Sequence, residues 1–390
     1  MKALILGYAR TPFCKMNGQL STLSAIELGS HAIRAALANA QLDPTRVDQV
    51  IGGQVIQVGA GQNPARQAAI AAGIPLGVPA ITLNSVCLSG AEAVTYAARM
   101  IELGEAEVVV AFGQESMSQA PHILKGSRLG KKYGAMELVD SLEVDGLTDA
   151  FTKESMGLLT EKATAKLGID RESQDRYAVL SHQRATTHMS SVVREIAPIE
   201  ISIRGKAEWV SQDDGIRPDV DFESVSKVRS AFAENGSITA ANASQLTDGA
   251  AALVIVSERF AKQENRSGLA EILSHAKVSG PDYSLNLQPS NAIFAAVKKA
   301  GIEVSDLSQI EVNEAFAAVV LASGKALNVD IEKLNPEGGA IALGHPIGAS
   351  GARLIGHLAL KLHGTTNLGA MGICGGGGQG VATILKGTRA

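Results

Sequence analysis

The chain has 390 residues, 45% hydrophobic and 19% charged, with a net charge of −4. That length exceeds one ordinary core, and the composition excludes a disordered chain. There is no basic run with stacking aromatics for nucleic acid, and no apolar run of roughly 18 residues for a membrane span.

The chain opens with a strand, Met1-Lys-Ala-Leu-Ile-Leu-Gly7, and with no small-residue cleavage site, so no signal peptide is expected. An amphipathic helix ends at Ala35–Gln41, followed by an Asp turn and a short apolar strand near Val50. Gly59-Ala-Gly61-Gln-Asn-Pro64 makes a poor dinucleotide fingerprint, because Pro replaces its last glycine and no acidic partner follows. Next come the apolar segment Pro79–Leu83, the turn Asn84-Ser-Val-Cys-Leu-Ser-Gly90, a helix from Ser89 to Leu103 and the strand Glu107–Phe112. Cys87 in that turn would place its sulfur at a helix N-terminus, where free N–H groups favour a thiolate. The alternative is a small buried hydrophobe.

Residues 117–245 depart from this alternation. They hold Met117, Met136, Met156, a polar helix near Arg171–His188, the only Trp (Trp209) and the turn Gln212–Pro218. The main body resumes with the strand Asp248–Val256. Then the first pattern recurs about 260 residues on: Ala295–Ile310 lies on Ala35–Val50, and Ser350-Gly-Ala352 opens a helix as Ser89-Gly-Ala91 does. Helices alternating with short β-branched runs imply a mostly parallel α/β sheet in two similar halves.

The second half ends in a tract, Gly338–Gly380, that packs fourteen of the 41 glycines around His345 and Cys374. Glycine at this density suits backbone that turns sharply or lies against a ligand. His345 is held between Gly344 and Pro346, and is otherwise a histidine satisfied in a loop. Cys374 precedes four glycines whose N–H groups can converge on an oxyanion; its plain alternative is a strand end. Asn313, in Asn313-Glu-Ala-Phe316, ends a strand and can orient a water or a carbonyl, or cap a helix. The three cysteines, 14, 87 and 374, make neither a disulfide framework nor a zinc site, and suit a reduced, cytoplasmic setting.

Asn84–Gly90, Asn313–Phe316, Gly338–Arg353 and Cys374–Gly378, in this order, together resemble the thiolase family: acetyl-CoA acetyltransferases and 3-ketoacyl-CoA thiolases. The resemblance runs nearly end to end, through Tyr8–Pro12, Gly61–Arg66, Asp145–Asp149 and Asn242–Ser244. It implies a five-layer αβαβα body of two similar halves with an inserted α+β lobe. The N-terminal half would be residues 1–116 plus 246–265, the coenzyme A-binding lobe 117–245, and the C-terminal half 266–390. It also implies reversible Claisen condensation of acyl-CoA with acetyl-CoA, or thiolysis of a 3-ketoacyl-CoA.

By this likeness Cys87 carries the acyl group, His345 accepts its proton, and Cys374 moves the α-proton of acetyl-CoA. Asn313 holds a water, while the N–H groups of Cys87 and Gly376 form an oxyanion hole. Leu147, Met156, Ser244 and Phe316 would contact coenzyme A. Substrates would be acetyl-CoA, acetoacetyl-CoA or 3-ketoacyl-CoA and coenzyme A, with no metal or redox cofactor, in a homodimer or homotetramer. Two departures bear on acyl length: Ser155 stands where short-chain relatives carry His, and Leu285-Asn-Leu-Gln-Pro289 replaces Met-Gly-x-Gly-Pro. A longer-chain β-oxidation thiolase is the nearest alternative. A ketoacyl synthase relative is disfavoured by Cys374, and an inactive acyl-CoA-binding relative by the intact trio.

Overall fold

The computed structural model describes residues 1–203 and 205–389. Nine strands form the main sheet: β1 (Ala3–Arg10), β2 (Gln49–Gly53), β3 (Ala80–Leu83), β4 (Val108–Glu115), β5 (Thr247–Ser257), β6 (Ala270–Ser279), β7 (Leu307–Val312), β8 (Leu368–Gly375) and β9 (Gln379–Gly387). Their order is β7-β8-β9-β6-β1-β5-β4-β2-β3, and a two-residue strand, Cys14–Lys15, pairs with the start of β5. The halves meet where Ala3–Ile5 of β1 runs antiparallel to Ala270–Ile272 of β6.

Successive residues on a strand face opposite sides, and here both sides are buried. On β4, Val108, Val110 and Phe112 join one apolar cluster, whereas Val109 and Ala111 join another. The first cluster includes α1 (Ala25–Asn39) and α2 (Pro64–Ala71). The second surrounds α3 (Ser89–Leu103) and reaches Met371 and Ile373 of β8. A third lies beyond, on the far face of β8 and β9. With α6 (Gln288–Ala300), α7 (Ala317–Leu327) and α8 (Ser350–Leu362), the layers are α1/α2, sheet, α3/α8, sheet, α6/α7. The expected five-layer α/β body of two similar halves is present.

The internal repeat is visible element by element. A 3₁₀ turn at Pro44–Arg46 precedes β2, as one at Val304–Asp306 precedes β7. Leu334 makes a parallel bridge to Ile310, at the place in the second half that β3 takes beside β2. The halves differ between their last two strands. In the second, β8 and β9 are joined by the turn Gly376–Gly378, whereas in the first the same connection holds the whole segment between Glu115 and Thr247. That segment contains α4 (Met156–Leu167), α5 (Arg171–Thr187), a π-helical turn (Leu142–Leu147) and the hairpin Ile199–Ile203/Lys206–Val210.

Among the described residues no helix is long and apolar enough to cross a membrane.

Candidate active site

Cys87 lies between β3 and the first turn of α3, in a loop tied by its own polar side chains. Asn84 Oδ1 accepts the Val86 N–H at 3.0 Å, and Asn84 Nδ2 donates to Val55 O at 3.2 Å. Ser89 Oγ accepts from Ser85 N at 2.9 Å and donates to Val86 O at 2.6 Å. These bonds hold Val86 at φ 52°. A β-branched residue in this left-handed region is strained by about 1–3 kcal/mol. The strain falls one residue before the thiol and fixes where it stands.

The backbone N–H groups of Cys87 and Gly376, near the sulfur, favour its thiolate. Burial nevertheless pushes the thiol up to about 12, so the resting group is a neutral thiol needing a base. The loop carrying His345 packs on the start of α3: a Cβ at Gly90 would meet Gly348 O at 2.8 Å, and one at Gly351 would meet Ala91 N at 2.4 Å.

Ser350 Oγ donates to Pro346 O at 3.0 Å, and so accepts from His345 Nδ1–H at 2.5 Å. This assignment leaves Nε2 as the acceptor on the other side of the ring. Asn313 Nδ2, at the end of β7, approaches it at 3.4 Å. Burial lowers the His345 pKa to about 4, so the imidazole is neutral at pH 7. Cys374, on β8, has its thiol pushed up by burial and then by the nearby Cys87.

A cleft of about 830 Å³ opens beside this group. Val55, Asn84, Val86, Val144, Asp145, Phe151, Met156, Gly376 and Gly377 are among its walls. Of the four expected coenzyme A contacts, Met156 is on this wall. Leu147 is half-buried behind it, in an apolar cluster with Val86, Cys87 and Ile347. Ser244 donates its N–H to Ala315 O, and Phe316 is buried edge-to-face against Phe232; neither is on the wall of this cleft. Ser155, at the position noted above, caps α4 by accepting from Leu158 N at 3.2 Å. Leu285 is buried in the core.

Two positioning residues escaped the sequence reading. Ser350 looked only like a helix start. Glu115, fully buried at the end of β4, accepts N–H groups of Val55 and Gly348, both at 3.0 Å, and Ile56 at 3.1 Å, and so ties two loops around the site to that strand. Burial raises its pKa to about 8. A Gln-Glu pair ending a buried strand was the available signal.

Two family models cover nearly the whole chain: the thiolase N-terminal domain matches residues 3–259 and the thiolase C-terminal domain residues 266–387. The chain belongs to the thiolase family. A probable acetyl-CoA acetyltransferase of Mycolicibacterium smegmatis is 48% identical to this thiolase over 387 residues, 98% of this chain and 100% of that one. An acetyl-CoA acetyltransferase of Pseudomonas aeruginosa is 44% identical, over 98% of each chain. A probable acetyl-CoA acyltransferase of Staphylococcus epidermidis is 41% identical, over 99% of each.

Proposed function

We propose that this thiolase is an acetyl-CoA C-acetyltransferase, acting reversibly through an acyl group carried on Cys87. The supporting observation is the setting of that sulfur: it follows the strained Val86 at the start of α3, with Gly376 packed against Val86, and a tautomer-fixed neutral histidine is carried by the loop packed on the same helix start. His345 Nε2 takes the Cys87 proton as Sγ attacks the thioester carbon, and returns it to the departing coenzyme A sulfur. Cys374, reacting as its thiolate, then removes the α-proton of a second acetyl-CoA and passes it to the Cys87 sulfur when that sulfur is released. The resulting carbanion attacks the acyl-Cys87 carbon, releasing the Cys87 sulfur and forming the 3-ketoacyl-CoA. Thiolysis is the reverse.

The N–H groups of Cys87 and Gly376 are suited to the oxyanion of the acyl-enzyme step, and Asn313 to a water beside His345. No metal or redox cofactor enters this scheme, because the thioester itself activates both carbons. Residues 117–245 would serve as the coenzyme A-binding lobe between parts 1–116 and 246–265 of the first half, with 266–390 as the second. Met156 supports that role, since it stands on the cleft wall. Leu147, Ser244 and Phe316 would act from behind it.

Incubation with acetyl-CoA should add one acetyl group at Cys87, read by peptide mass spectrometry, and acetoacetyl-CoA plus coenzyme A should be cleaved. Full activity in Cys87→Ser would sink the assignment. Cys374→Ser should still form the acyl-enzyme yet stall at carbon–carbon bond formation, with a loss of about 10²-fold or more.

A homodimer or homotetramer is supported by two exposed features. The arm between His122–Ile123 and Val139–Asp140 leaves Leu129 and Tyr133 almost wholly in solvent, and β3 lies at the sheet edge with Ile81 exposed. Sedimentation equilibrium would decide between them. Reduced cysteines in the site suit the cytoplasm.

A further inference from the structure

The rings of Phe151 and Tyr283 stack with centroids 5.1 Å apart and planes 17° from parallel. One comes from the segment inserted in the first half, the other from the loop after β6. Each is held by its backbone. Asp149 Oδ1 accepts the N–H groups of Phe151 and Thr152 at 3.0 and 2.7 Å. On the other side, Asp282 Oδ1 accepts Ser284 N at 2.9 Å, and Gln288 Nε2 donates to Gly280 O at 2.9 Å.

The stack lies over the glycine turn Gly376–Gly378, whose first residue packs against Val86 beside Cys87. Phe151 lines the cleft with Gly376 and Gly377, and a Cβ at Gly377 would stand 3.7 Å from its ring. At Gly378, with φ 65°, a Cβ would lie 1.9 Å from Asp282 O, so the loop bearing Tyr283 is seated directly on the turn. Both rings stay open to solvent, at 68% and 41%. In a chain with 4% aromatics, two stacked rings left in water at a cleft mouth are not core packing. Leu285 of the same loop is buried away from the cleft, so Tyr283 is what this loop sets against Phe151.

We propose that the Phe151–Tyr283 stack is the outer wall of the acyl channel and sets the length of acyl chain the site accepts. This rests on the thiolase reading above. An acyl group on Cys87 lies beneath the Gly376 N–H, and a chain continuing along Gly377 meets the rings. A short chain ends before them, whereas a long one must part them.

The test compares kcat/KM for C4 and C10 3-ketoacyl-CoA in wild type, Phe151→Ala, Tyr283→Ala and Tyr283→Phe. Either alanine should raise the C10-to-C4 ratio about tenfold or more, the scale of a few methylenes gaining or losing a pocket wall. Tyr283→Phe keeps the stack and should keep the ratio. Phe151→Leu, which retains bulk without a ring, serves if the alanine variant does not fold, and should shift the ratio in the same direction. Unchanged ratios, or an equal fall at both lengths, would overturn the wall. If wild type neither acylates Cys87 nor cleaves either substrate, the thiolase reading itself falls.

Discussion

His345 is suited to the base role proposed above because burial keeps it neutral and Ser350 holds its Nδ1 proton. With its pKa lowered to about 4, the folded chain resists protonation that the unfolded chain accepts near 6.5. Its neutral form therefore contributes stability above pH 6.5, and this is lost as pH falls toward 4. The acid limb of kcat/KM for Cys87 acylation should likewise lie near pH 4; a limb near 6.5 would show that the ring is not desolvated in the working enzyme. Ser350→Ala removes the acceptor that selects the tautomer. We expect acylation to slow by about 10-fold to 100-fold, the scale on which partners orienting a histidine act. Folding should be little changed, as a thermal melt would check.

At the scale of elements, the site depends on how closely α3 and α8 cross. Gly90, Gly113 and Gly351 leave no room for a side chain: at Gly113 a Cβ would meet Gly348 O at 2.2 Å. These glycines are close-approach positions, whereas Gly377 and Gly378 supply left-handed turns. Gly351→Ala should cost about 1–3 kcal/mol by overpacking, measured by urea unfolding. It should also slow acylation, because the displaced backbone bears both His345 and Ser350. A stable variant of normal activity would contradict this account of the crossing. The sequence showed these glycines in a dense tract, but not which partner each one faces. It placed the helix starts at Ser89 and Ser350, because small residues follow a turn and an apolar period begins there.

Across the whole molecule, a buried charge network joins β1, α8 and the inserted segment. Arg10 donates to both Asp213 oxygens, at 2.7 and 2.8 Å, and its Nε to Glu195 at 3.2 Å; Glu195 also pairs with His357. Burial alone would raise the Glu195 pKa, but His357 and Arg10 override it and hold the carboxyl at about 2. Its contribution to stability is therefore present above about pH 4.5 and lost as pH falls toward 2. Arg10→Ala leaves buried Asp213 without its cation and Glu195 with His357 alone, and should cost about 3–5 kcal/mol, read from denaturant midpoints. A loss under about 1 kcal/mol would mean that water already shares these charges.

The sequence by itself determined the layered α/β class, the repeat offset of about 260 residues, and the turns that carry Cys87, Asn313, His345 and Cys374. Those follow from local rules: hydrophobic period, glycine density and capping residues act over a few neighbouring positions. Only the tertiary structure decided that Ser350 fixes the His345 tautomer, that Glu115 ties two loops to the end of β4, and that Met156 lines the cleft while Ser244 and Phe316 do not. It alone set Phe151 against Tyr283. Such pairs lie far apart in the chain, and their contact depends on how layers pack and where two backbones come close enough to touch, which no local pattern encodes.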